Sequence, residues 1–205
     1  MGVVKHLKLL ARVFDFSAER YLRSAGDLFA FEGDYEAALA MIDKTLALSP
    51  RNERALVLKA DILFCLNDDA AALRLLNQAI EAHPDRPEAY ASKAGVLDAL
   101  GKPREALQCC DLALSLIGRA HDYLLAPLLD QKLSLLIQIR RHRQALRLLN
   151  EASKLLNDDE YGYLQMCYRS ALTQACRQRR RPASAASHLA LCPTIAPEDS
   201  SQTLL

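Results

Sequence analysis

Two kinds of charged group return at one interval in this sequence: Asp27 and Asp61 lie 34 residues apart, and so do Arg20 and Arg54. A chain that presents carboxylates and guanidinium groups in parallel rows can ion-pair with a ligand of mixed charge, such as a peptide. The competing use is internal, for example Arg23 with Asp27 one helical turn apart. A second set is denser: Arg140, Arg141 and Arg143 in IRRHRQ, and Arg177, Arg179, Arg180 and Arg181 in RQRRRP. Such a ridge suits phosphate groups or an acidic protein surface, unless its charges are merely solvated. Aromatic residues do not interleave with these runs, so RNA, DNA or anionic lipid would be held through phosphates alone.

Groups suited to bond-breaking chemistry are scattered. His6, His83, His121, His142 and His188 lack ligand spacing, and there is no glycine-rich phosphate loop or nucleophile elbow. We therefore expect no catalytic residues, no metal and no cofactor. The 6 cysteines form no CxxC pair and fall mostly in apolar helical patterns, as buried reduced thiols would. Cys109-Cys110 invites a redox reading, but Cys110 sits at a core position.

The elements that must carry these groups are helices. Over 205 residues the chain is 51% hydrophobic with only 7 Gly and 8 Pro, a composition that favours long helices over short strands. No apolar run approaches the roughly 18 residues of a membrane span, and MGVVKHLKLLARVF is broken by charge. The expected setting is the cytoplasm, and the chain is not expected to be transmembrane.

Residues 19–52, 53–86 and 87–120 align at a period of 34. Leu22, Leu56 and Tyr90 coincide, as do Gly26, Ala60 and Ala94; Phe29, Leu63 and Leu97; Ala38, Ala72 and Ala106; and Ile42, Leu76 and Cys110. Small side chains on both helices of a unit let the axes approach closely, and the larger apolar residues fill the surrounding gaps. Pro50 and Pro84 stop the second helix of their units. In these marks the chain resembles the tetratricopeptide repeat family. The resemblance implies an all-α fold, a right-handed superhelical solenoid of stacked helix-turn-helix units.

Past residue 120 the register resumes only after five extra residues, HDYLL, giving a divergent unit at 126–159. Gly118 and Asn157 take the place of the closing proline, and either can end a helix in a left-handed conformation. Pro127 leaves open whether the next helix starts near 121 or near 126. Residues 160–193 read as a degraded capping unit, 1–18 as an N-terminal capping helix, and 194–205 as a disordered tail.

The resemblance further implies a binding function. In the family the first helices of successive units line a concave groove that accepts a partner segment. By register that face carries Arg20, Arg23, Asp27, Arg54, Val57, Asp61, Phe64, Ala91, Gly95 and Asp98, with Phe64 as an apolar anchor. The family's carboxylate clamp for acidic chaperone tails is not matched, because Asp27 and Asp61 stand where neutral or basic groups are wanted. Lys59, Lys93 and Lys132 recur at a usually apolar position, as snorkelling side chains would. The leading expectation is thus a non-enzymatic adaptor for a protein or peptide partner, the alternative an anionic ligand on the Arg-rich edge.

Charge is also graded along the chain. Residues 1–100 hold 12 basic and 15 acidic groups, residues 101–205 hold 14 and 10. The turns inside the units, FEGDYE, LNDDA, LGKPRE, IRRHRQ and RQRRRP, carry this gradient along one rim. Unlike ends of this kind allow head-to-tail self-association.

Overall fold

The computed structural model describes residues 17–179, without the side chains of 119–121 and 174–179. The expected N-terminal cap up to residue 16, the Ala-rich segment 183–191 and the tail 194–205 lie outside the described residues. Helix α1 covers residues 17–27 and runs on into a π turn, Leu28–Glu32. There follow α2 (Tyr35–Leu48), α3 (Glu53–Cys65), α4 (Asp69–Ala82), α5 (Pro87–Ala99), α6 (Pro103–Leu116), a 3-10 turn (Arg119–Leu124), α7 (Leu125–Gln138), α8 (His142–Ala152) and α9 (Asp158–Arg179). The fold is an all-α, right-handed superhelical solenoid.

Local chemistry accounts for these boundaries. Asp34, Asn52 and Asp68 accept a hydrogen bond from the amide three residues on, at 2.9, 3.1 and 3.0 Å, and so cap α2, α3 and α4. Pro87 and Pro103 occupy the first turns of α5 and α6, where a missing amide donor costs nothing. The start of α7 at Leu125 places Pro127 in the first turn as well.

Left-handed residues mark the turn inside each unit, not the end of the unit. They are Gly33, Asn67, Gly101 and Arg140, the first three spaced by 34 residues and the last displaced by the five-residue insertion. Gly118, expected to be left-handed, has φ −117° and is extended. Asn157 instead opens α9: its Oδ1 accepts from the Glu160 amide at 2.9 Å, and Glu160 Oε2 accepts from the Asn157 amide at 3.3 Å. This reciprocal box satisfies two otherwise orphaned donors, which is why the asparagine starts a helix and does not finish one.

The core runs through the stack as three apolar clusters, one joining α1, α2 and α3, one on α3 and α4 with the near face of α5, and one from α5 to α9. Ala38, Ala72, Ala106 and Ala145 are each fully buried at one register position. A methyl group there is as much as the crossing of paired helices admits. Odd-numbered helices also touch one another, α3 with α5 and α5 with α7, so they form the inner face, and α9 packs mainly on α7.

The lysine positions have a defined structural use. Lys59 Nζ meets Asp43 at 2.6 Å, Lys93 Nζ meets Asn77 Oδ1 at 2.7 Å, and Lys132 Nζ meets Asp111 at 2.7 Å. Each links a first helix to the second helix of the preceding unit. The stems pack as snorkelling side chains do, but the ammonium groups end on neighbouring polar side chains.

Candidate interaction groove

The inner face of α1, α3 and α5 opens as a cleft of about 790 Å³, within the range of about 300–1,000 Å³ usual for ligand clefts. Leu22, Arg23 and Gly26 of α1 form one wall. Arg54, Val57, Leu58 and Asp61 of α3 form the base. Arg86 and Glu88, at the start of α5, and Tyr123 of the 3-10 turn complete it. A second cleft of about 670 Å³ follows the turns between units and shares Arg54 and Arg86 with the first. Arg51 and His83 lie in this extension, where His83 Nε2 is 2.9 Å from the Arg51 carbonyl.

Helical spacing explains the arrangement. Arg54, Val57, Leu58 and Asp61 follow the 3–4 spacing of one helix face, so they surface together. Gly26 leaves room: a Cβ built there meets nothing within 4 Å.

Of the residues expected on the groove, Arg23, Arg54, Val57 and Asp61 come together in this cleft. Arg20 is exposed next to it along α1, its guanidinium 5.8 Å from the Tyr21 ring centroid. Asp27 is exposed at the end of α1. Phe64 is partly buried against the cluster around Leu56, Val57, Ala60 and Leu76 and is not among the residues that line the cleft. Asp98 lies deeper along α5 and accepts a bond from Gln138 Nε2 at 3.3 Å. Ala91 and Gly95 are partly buried on α5, Gly95 facing Gln131.

Beside Leu22, Gly26 and Leu58, three polar groups of the cleft are additions to that expectation. Glu88 stands in register with Arg20 and Arg54, so the repeat contained the signal, with the sign of charge reversed. Arg86 precedes Pro87 in a turn between units. Tyr123 belongs to HDYLL, which has no repeat equivalent; its hydroxyl donates to Glu88 Oε1 at 2.9 Å.

Electrostatics differ sharply among the charged groups of the cleft. Arg54 pairs with Glu19 at 2.8 Å across α1 and α3, with both side chains well exposed. Asp61 is partly buried, and burial pushes its carboxyl up to about 6, the Ser92 hydroxyl bond pulling the other way. Among the described residues no cation is paired with it. Asp98 is likewise raised by burial, against the lowering effect of Gln138.

The basic edge is described in part. Arg140, Arg141 and Arg143 are exposed at the turn between α7 and α8. Arg177 and Arg179 end α9 but their side chains are outside the description, as are Arg180 and Arg181 altogether. No group of three His, Cys, Asp or Glu that could hold a metal occurs among the described residues. None of the described helices is long and apolar enough to cross a membrane.

Residues 32–94 match the tetratricopeptide repeat family model. That stretch of the chain carries tetratricopeptide repeats. Solved structures share the architecture over most of this chain. Residues 41 to the end of MamA from Desulfovibrio magneticus RS-1 superpose with a TM-score of 0.55 at 22% identity, over 74% of this chain and 82% of that one. A second MamA crystal structure gives 0.54 at 14% identity over 86% and 98%. An O-GlcNAc transferase mutant from Thermobaculum terrenum gives 0.53 at 20% identity over 60% of this chain, which spans only 22% of the transferase. These similarities concern the fold. No curated protein matches the repeat protein in sequence.

Proposed function

We propose that this repeat protein is a non-enzymatic interaction scaffold that holds a segment of another protein along the inner face of α1, α3 and α5. The observation that supports it is the cleft of about 790 Å³, continuous through Arg54 and Arg86 with a second of about 670 Å³. Its walls are helices already fixed by the core, so a docked segment orders itself but not its receptor, and less entropy is lost. Exposed arginines alternate with Val57, Leu58 and Asp61, as recognition of a segment with both charged and apolar side chains requires.

Gly26→Phe is the direct test. The added Cβ meets nothing within 4 Å and a helix glycine is removed, and circular dichroism with the urea unfolding midpoint checks that the fold is kept. Short random peptides displayed and selected on the wild-type protein should lose at least about tenfold in affinity for the variant, roughly one hot-spot contact. Equal affinity for both proteins removes the cleft from the reading.

A second reading, anion binding on the basic edge, draws on where two of its arginines sit. Arg140 takes φ +63°, where Gly33 and Gly101 stand in other units. Arg141 is the N-cap of α8 without a side-chain cap bond, where Asp34 and Asp68 cap their helices. A cation at a helix N-terminus and a β-carbon in a left-handed turn are both unfavourable. The double variant Arg140→Gly, Arg141→Asp should therefore gain roughly 1–2 kcal/mol of stability. It should also bind heparin or anionic vesicles less at low salt. Unchanged binding to both dismisses the edge as a ligand surface.

A further inference from the structure

Asp61 is the anomaly in the cleft. The other acids nearby are matched: Glu19 holds Arg54 at 2.8 Å and Glu88 accepts from Tyr123 at 2.9 Å. Asp61, less exposed than Asp27 at the equivalent place in the preceding unit, has one hydroxyl, Ser92, and no cation among the described residues. Three arginines share its cleft, Arg23 from α1, Arg54 from α3 and Arg86 from the turn before α5. None of them forms an ion pair with it. A carboxylate withdrawn from water without a counter-charge is costly, and the cost is recovered when a cation arrives to be hydrogen-bonded there.

We infer that Asp61 is the receptor for a basic side chain, arginine or lysine, carried by the protein segment that docks in the cleft. This rests on the groove reading above and adds the chemistry of one contact. The arginines around it complete the pattern. Arg23 and Arg86 are exposed and face the same space, so acidic residues flanking the basic one find partners on the walls. Tyr123 supplies a ring at the end of the cleft, where the stem of the basic side chain or a neighbouring apolar residue can pack.

Peptides selected on the wild-type protein, and shown by Gly26→Phe to occupy the cleft, provide the probe. The inference expects a shared arginine or lysine among them. Replacing it by norleucine, or changing the protein to Asp61→Asn, should each weaken binding by roughly 10- to 100-fold, the range of a charge-assisted hydrogen bond. Together the two changes should cost little more than either alone, because they remove the same contact. Affinity should also fall as pH drops below about 6, where burial lets Asp61 take up a proton. The other charges facing it, from Arg23, Arg54, Arg86 and Glu88, and the Tyr123 hydroxyl belong to that titration too, so the pH profile of Asp61→Asn is the reference. Cleft-bound peptides that tolerate Asp61→Asn within twofold, or that share no basic residue, overturn the inference and leave the groove reading standing. Failure to select any cleft-bound peptide overturns both.

Discussion

Replacing Asp61 by asparagine should make the free protein more stable, and the pH dependence of that gain is the sharpest check on how the cleft is built. The carboxyl moves from an ordinary value of 3.8 to about 6 because burial penalises its charge. A shift of about 2 units corresponds to about 3 kcal/mol, a ceiling since the side chain keeps some contact with water. Well below pH 3.8 the group is protonated in folded and unfolded chains alike, and no penalty exists. Between 3.8 and about 6 the unfolded chain ionises first, so the folded state loses relative stability as pH rises. Above about 6 the full penalty is present. Asparagine keeps an acceptor for Ser92 and carries no charge. The variant should thus exceed wild type by about 1–3 kcal/mol near pH 7.5, with the difference closing toward pH 4. Urea unfolding across that range, followed by circular dichroism, reads it directly. A difference that is constant with pH, or a variant that is weaker at neutral pH, refutes the reasoning about burial. A gain in stability together with a loss of peptide binding is what a ligand site produces and a purely structural carboxylate does not.

Two further outcomes test the scaffold. Ala72→Leu places three extra heavy atoms where the side chain is fully buried at the α3–α4 crossing, and overpacking there should cost about 1–3 kcal/mol in urea unfolding. Lys102 is the N-cap of α6 without a side-chain cap bond, in the place where Asp34 and Asp68 accept theirs. Lys102→Asp should raise stability by about 1 kcal/mol, read as a higher unfolding midpoint.

The all-α solenoid was legible because its signal is redundant: one alanine position recurs in every unit, and a helix pair cannot close around anything larger. Four cleft residues, Arg23, Arg54, Val57 and Asp61, were legible for the same reason, since repeat register translates into a shared face. Phe64 was assigned to that face by register, yet lies against the cluster of Leu56 and Leu76. An aromatic ring near a core edge turns toward apolar neighbours, and register alone does not specify its rotamer. Gly118 misled because a glycine permits a left-handed turn without requiring one.

Tyr123 had no such precedent, and it shows where periodic reasoning stops. The five residues HDYLL interrupt the register, and what they build depends on what the interrupted stack leaves uncovered. Here the segment forms a 3-10 turn whose tyrosine reaches back 35 residues to Glu88, in the first turn of α5. An insertion between the third and fourth units therefore furnishes a wall for a cleft made by the first three. Removing only the hydroxyl, in Tyr123→Phe, separates the two services of that wall: the ring still lines the space, while Glu88 loses a donor. Loss of that donor alters the hydrogen bonding of a carboxylate that lines the cleft, which makes the ionic character of the cleft depend in part on a segment outside the repeat.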